Sequence, residues 1–129
     1  MTADPRFSRV TIVTSGDDEI LEQIEKQIGK LVDVRNVKEL RPKESVYREL
    51  VMIKVKTEAE QRQSVISLAD VFRAKIIDVA PDSLIIELTG DQNKIDAFIT
   101  LLEGYEILEL ARTGIAGLGR GTENVVYID

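Results

Sequence analysis

Apolar and polar residues repeat one pattern twice along the chain. Val10–Thr14 (VTIVT) is a run of β-formers and predicts a strand, broken by Ser15-Gly16-Asp17. Ile20, Leu21, Ile24, Ile28 and Leu31 then recur at helical spacing, which predicts a helix over Asp17–Leu31. Asp17 and Asp18 suit its start, where carboxylates meet free N–H groups and the positive end of the helix dipole. Val32–Val37 (VDVRNV) alternates with period two, as a strand does. The second copy begins at Ser83–Thr89 (SLIIELT), turns at Gly90-Asp91, continues in a helix carried by Ile95, Phe98, Ile99 and Leu102, and closes with a strand at Glu106–Ala111. Gly16 matches Gly90, Asp17 matches Asp91, Leu21 matches Ile95, Ile24 matches Phe98 and Ile28 matches Leu102.

Only the second copy has a further strand and helix before it. Val46–Lys56 is rich in β-formers, and Val65, Leu68, Phe72 and Ile76 follow at helical spacing. Thr57 followed by Glu60 matches a capping box. Ile76–Ser83 then predicts a short strand and a turn at Pro81. The order from Val46 to Ala111 is β-α-β-β-α-β, a ferredoxin-like domain. The first copy reads as the back half of such a domain. Two strands and one helix bury too little apolar surface to stand alone, so it is expected to pack on the other unit, to pair with another chain, or to be a truncated form. The fold class is α+β: a partial β-α-β unit over residues 2–40, a linker at 41–45, a ferredoxin-like domain at 46–111 and a mobile Gly-rich tail at 112–129.

Composition narrows the chemistry. Hydrophobic residues make up 43% and charged residues 31%, which suits a globular core. No apolar run approaches the roughly 18–20 residues that span a bilayer, and MTADPRFSR carries no signal-peptide core, so no membrane and a cytoplasmic location are expected. The chain has no cysteine and no histidine. Disulfides, thiolate nucleophiles, Cys/His zinc sites and Ser–His–Asp catalysis are thereby excluded. Net charge is −6, with 23 acidic against 17 basic residues, so nucleic acid is not an expected partner.

The remaining candidates are modest. Gly117, Gly119 and Gly121 alternate, and match neither the dinucleotide fingerprint nor a P-loop. Asp17, Asp18 and Glu19 read as helix caps, and Asp78 and Asp82 as residues of a solvated turn around Pro81. Arg6, Arg9, Arg48 and Arg112 could meet a carboxylate or a partner's acidic groups. Arg9, Arg48 and Arg112 are taken as partner-contact candidates, with ion pairs on a sheet face as the alternative for Arg9 and Arg48.

The ordered segments FSRVTIVTSGDDEILEQIEKQIGKLVDVRNVKEL, YRELVMIKVK, FRAKIIDVAPDSLIIELTG, NKIDAFITLLEGYEILELARTG and the closing RG resemble the small regulatory subunit of acetolactate synthase, from about Arg6 to Gly121. The resemblance implies an ACT domain followed by a ferredoxin-like domain. It also implies a homodimer and association with a catalytic large subunit in valine, leucine and isoleucine synthesis. Thiamine diphosphate, magnesium and FAD would belong to that large subunit, so no cofactor, metal or catalytic residue is expected here. The family's valine site lies in a loop after the first ACT strand, which would fall upstream of Met1, so no valine-contacting residue is expected either. The alternative function is a stand-alone amino-acid-sensing ACT-type oligomer.

Overall fold

A computed structural model describes residues 3–122. In chain order the elements are helix α1 (Asp18–Gly29), a 3-10 turn at Pro42–Glu44, strand β1 (Ser45–Lys56), helix α2 (Ala59–Val71), strands β2 (Lys75–Ala80) and β3 (Ser83–Gly90), helix α3 (Gln92–Leu101), a second 3-10 turn at Leu102–Gly104, and strands β4 (Glu106–Arg112) and β5 (Ala116–Gly119). The chain divides into two compact units. One is Tyr47–Ala116, and the other is formed by the segments before and after it.

The Tyr47–Ala116 unit is organised by β1. Its side chains alternate, so Val51, Ile53 and Val55 share one face and are fully buried. β1 pairs antiparallel with both β3 and β4, and β2 pairs with β3, giving the order β2-β3-β1-β4. Leu84, Ile86 and Leu88 of β3 join the same buried face. Val65 and Ala69 of α2, Ile95 and Phe98 of α3, and Leu102 complete the core. The rings of Phe72 and Phe98 lie 5.0 Å apart and tilted at 57°, a favourable edge-on geometry. This is the expected ferredoxin-like arrangement. Both outer strands are bulged, β2 between Ile76 and Asp78 and β4 opposite Lys54 and Val55. Bulges on edge strands discourage pairing with other chains.

Four local readings of this part need correction. The cap of α2 falls one residue later than expected: the Glu58 N–H donates to Gln61 Oε1 at 3.1 Å, while Thr57 is fully buried and its hydroxyl makes no hydrogen bond. Ile76 belongs to β2, because α2 stops at Val71. Phe72 caps the helix, and Arg73 at φ 57° reverses the chain, with the Ala74 N–H donating to Ala69 O at 2.8 Å. Asp78 lies within β2, so the turn is Pro81-Asp82 alone. The Gly-rich stretch is not all tail, since Arg112 closes β4 and Ala116–Gly119 form β5, which pairs with β1. The final residues 123–129 lie outside the described residues.

In the other unit the helix forms as expected, and Asp17 Oδ1 accepts from the Ile20 N–H at 2.9 Å. Neither expected strand is present. Val10–Thr14 takes no part in a strand ladder, and Val32-Asp33 make a turn. A strand is stabilised by hydrogen bonds to a neighbour, and the sheet found among the described residues is composed of β1 to β5 alone. No residue of α1 is fully buried.

Phe98 is completely buried at the centre of the core. Phe98→Ala is therefore expected to destabilise the Tyr47–Ala116 unit by about 3–5 kcal/mol. Chemical denaturation followed by circular dichroism checks this, and an unchanged midpoint would contradict the packing described.

Candidate functional site

The partner-contact arginines occupy different settings. An Arg9 guanidinium NH2 group donates to Gly117 O at 2.8 Å. Arg48, exposed on β1, donates to Tyr47 O at 2.7 Å through its own side chain. Arg6, also weighed for this role, pairs with Asp4 at 2.8 Å.

Arg112 is held inside its unit. Its Nε donates to Glu49 Oε1 at 2.6 Å and its NH2 to Glu49 Oε2 at 2.9 Å, a bidentate fork. NH1 reaches Asp96 Oδ1 on α3 at 3.1 Å. The register explains why these groups meet. Glu49 stands two residues before Val51 and shares its face, and Arg112 lies directly across from Val51. Glu49 is 5% exposed, so the sheet carries a carboxylate into the edge of an apolar core. Hydrogen bonding to Arg112 holds the Glu49 carboxyl below its usual pKa; burial opposes that shift, and the cation's charge adds to it. Arg112 is correspondingly raised, first by Glu49 and further by Asp96, against its own partial burial. The candidate list missed Glu49 and Asp96. Glu49 was readable from the alternation Glu49-Val51-Ile53-Val55, which puts an acid in step with core residues.

Two open depressions among the described residues bring charged groups together. One of about 440 Å³ is lined by Glu22, Glu25, Lys26, Arg35 and Asn36, with Val34 and Val37. Its charges are of both signs, and Lys26 is paired with Glu22 at 3.1 Å. The other, about 210 Å³, is lined by Lys56, Glu58, Gln61, Tyr105 and Glu106. Neither gathers a nucleophile beside a base. No group of three acidic side chains able to hold a metal is found among the described residues. Asp17 serves as the helix cap, and Asp91 does the same for α3, accepting from the Lys94 N–H at 2.9 Å. No helix among the described residues is long and apolar enough to cross a membrane.

Fold and site together define an α+β protein with a ferredoxin-like unit and charged groups dispersed over its surface. Residues 48–121 match the family model described as the small subunit of acetolactate synthase. A probable acetolactate synthase small subunit of Methanothermobacter thermautotrophicus is 48% identical over 94% of this chain and 73% of its own length. The acetolactate synthase isozyme 3 small subunit of Escherichia coli is 44% identical over 93% of this chain and 74% of its own. The crystal structure of the small subunit from Thermotoga maritima superposes with a TM-score of 0.74 at 44% identity, covering 84% of this chain and 68% of that one. The chain belongs to the acetolactate synthase small-subunit family.

Removing the guanidinium leaves the Glu49 carboxylate buried without its partner. Arg112→Ala is expected to cost about 1–3 kcal/mol, below the full price of breaking a buried pair because Arg112 reaches solvent. Because the folded pKa of Glu49 is depressed, the pair contributes fully above the ordinary glutamate value, about 4.3, and its contribution is lost as pH falls through the lowered folded value. Arg112→Ala should thus lose stability at neutral pH and show a shallower decline in acid. Equal acid slopes for the two proteins would contradict this.

Proposed function

We propose that this chain is the regulatory, non-catalytic subunit of an acetolactate synthase in branched-chain amino-acid biosynthesis and acts by binding the catalytic large subunit. The observation that carries the reading is 48% identity over 94% of the chain to a protein named as that small subunit. The residues are compatible with it. With no cysteine or histidine, the chain lacks the usual nucleophile–base pairs, and its depressions collect no reacting set. Thiamine diphosphate, magnesium and FAD then belong to the large subunit. The regulatory form is a homodimer in the cytoplasm, without nucleic-acid or membrane partners. Arg48, exposed on β1, is the candidate for a partner carboxylate, while Arg9 and Arg112 are engaged in internal contacts.

The test is reconstitution. The isolated chain, supplied with thiamine diphosphate and a divalent metal, should not turn over pyruvate, whereas adding it to large subunit should raise that enzyme's activity saturably. Arg48→Glu should weaken the half-saturation by about tenfold, equivalent to about 1.4 kcal/mol, without moving the melting temperature. Turnover by the chain alone, or no effect on the large subunit, would contradict the reading. A melting temperature raised by free valine, leucine or isoleucine with no large-subunit effect would favour the stand-alone sensor instead.

A further inference from the structure

The unit formed by the segments before Tyr47 and after Ala116 is assembled from stretches far apart in the sequence. The chain returns to it at Gly117, whose carbonyl accepts from an Arg9 NH2 group at 2.8 Å. Three residues on, the Arg120 N–H donates to Glu44 O at 2.8 Å. Gly119 lies beside Lys38. A Cβ at that position would come 3.3 Å from Lys38 Nζ, so glycine leaves room for the ammonium group. The 3-10 turn at Pro42–Glu44 draws Arg41 and Lys43 into the same neighbourhood, with the Glu44 N–H donating to Arg41 O at 3.0 Å. Arg9, Lys38, Arg41, Lys43 and Arg120 are thereby gathered around the end of β5.

This gathering runs against the charge of the whole chain, which is −6. The acids interspersed with these cations are Glu39 and Glu44. Glu39 approaches Arg41 only to 3.9 Å, with both side chains open to solvent, so it neutralises little. The contact of Arg9 is with a neutral carbonyl, which orients the guanidinium without cancelling its charge. Arg41, Lys43 and Arg120 are exposed, and Arg9 and Lys38 are half-buried. The same unit carries the acidic start of α1, Asp17, Asp18 and Glu19, so the positive excess is local.

We propose that this basic surface around β5 receives an acidic face of the catalytic large subunit. The inference rests on the partnership proposed above and names the surface that serves it. Neither depression described above is lined by any of these cations. Charges spread over an open surface suit an extended partner better than a small anion, which a concave site would enclose. A nucleic acid carries its negative charge continuously and would run from the patch onto acidic groups such as those of α1. A protein surface can place carboxylates only where the cations stand. Attraction between two such surfaces acts mainly on the rate of encounter and is screened by salt.

The test follows association of the full chain with large subunit by surface plasmon resonance at low and high salt. Combining Lys38→Glu, Arg41→Glu and Lys43→Glu should lower the association rate at low salt by at least about tenfold and leave it nearly insensitive to salt. Gly119→Asp sets a carboxylate against Lys38 with every cation still in place, and should lower the rate by about two- to threefold. A control with the same change in net charge away from the patch, Lys30→Glu with Lys75→Glu and Lys94→Glu, should stay within about twofold of the unmodified chain. All variants should keep the thermal transition of the Tyr47–Ala116 unit. A patch variant that associates as fast as the unmodified chain would overturn the proposal. So would equal slowing by the two triple variants, which would make net charge alone the cause. A short DNA duplex bound by the unmodified chain and released by the patch variant would overturn it in favour of a polyanion. If the unmodified chain does not bind large subunit at all, the partnership itself fails and this surface with it.

Discussion

A β-strand with neighbours on both sides is the constraint on which this molecule turns. β1 supplies ladder hydrogen bonds to β3 and β4 at once, and its alternate residues form the floor on which both helices of its unit rest. Each helix buries only two residues completely, too few to hold it without that floor. The same constraint explains the first unit. Its sequence is as well patterned as that of the second, and its helix is equally well capped. Yet its strands are not formed and its apolar residues stay in contact with water. Pattern specifies which residues would be inside, and a central strand decides whether there is an inside.

The fork of Arg112 on Glu49 is a local consequence of that arrangement. The face of β1 that builds the core also carries Glu49 toward it, and β4 brings Arg112 alongside together with Asp96 from α3. A charge at this depth is tolerated because it is bidentately paired and reaches solvent through its partner. The ion pairs Lys54–Glu109, at 2.6 Å, and Lys56–Glu106, at 4.0 Å, run between β1 and β4 on the opposite, solvated face. They are exposed, and their contribution to stability is correspondingly small.

Much of this was legible in the sequence, and the failures have physical causes. Two-residue and helical periodicities placed all four strands and both helices of the ferredoxin-like unit, because each of those segments finds the neighbours its pattern demands. The strands at Val10–Thr14 and Val32–Val37 were read from the same kind of pattern and did not form, since pairing is a property of two segments. Thr57 has the preferred residue type for a cap, but the strand carries its side chain into the core and leaves the role to Glu58. β5 escaped notice because Gly117 and Gly119 read as loop, whereas strand pairing needs only their backbone. Family resemblance supplied the functional reading. No single residue did, for the candidate arginines are scattered and one of them is committed to an internal pair.

Amide hydrogen exchange on the intact chain at a series of protein concentrations bears most directly on the claim that a central strand decides which unit is built. Amides of Val51–Val55 in β1 should exchange slowly at every concentration, since their partners lie in the same chain. Amides of Val10–Thr14 should exchange rapidly in dilute protein. Slow exchange of Val10–Thr14 in dilute monomer, equal to that of β1, would contradict the claim.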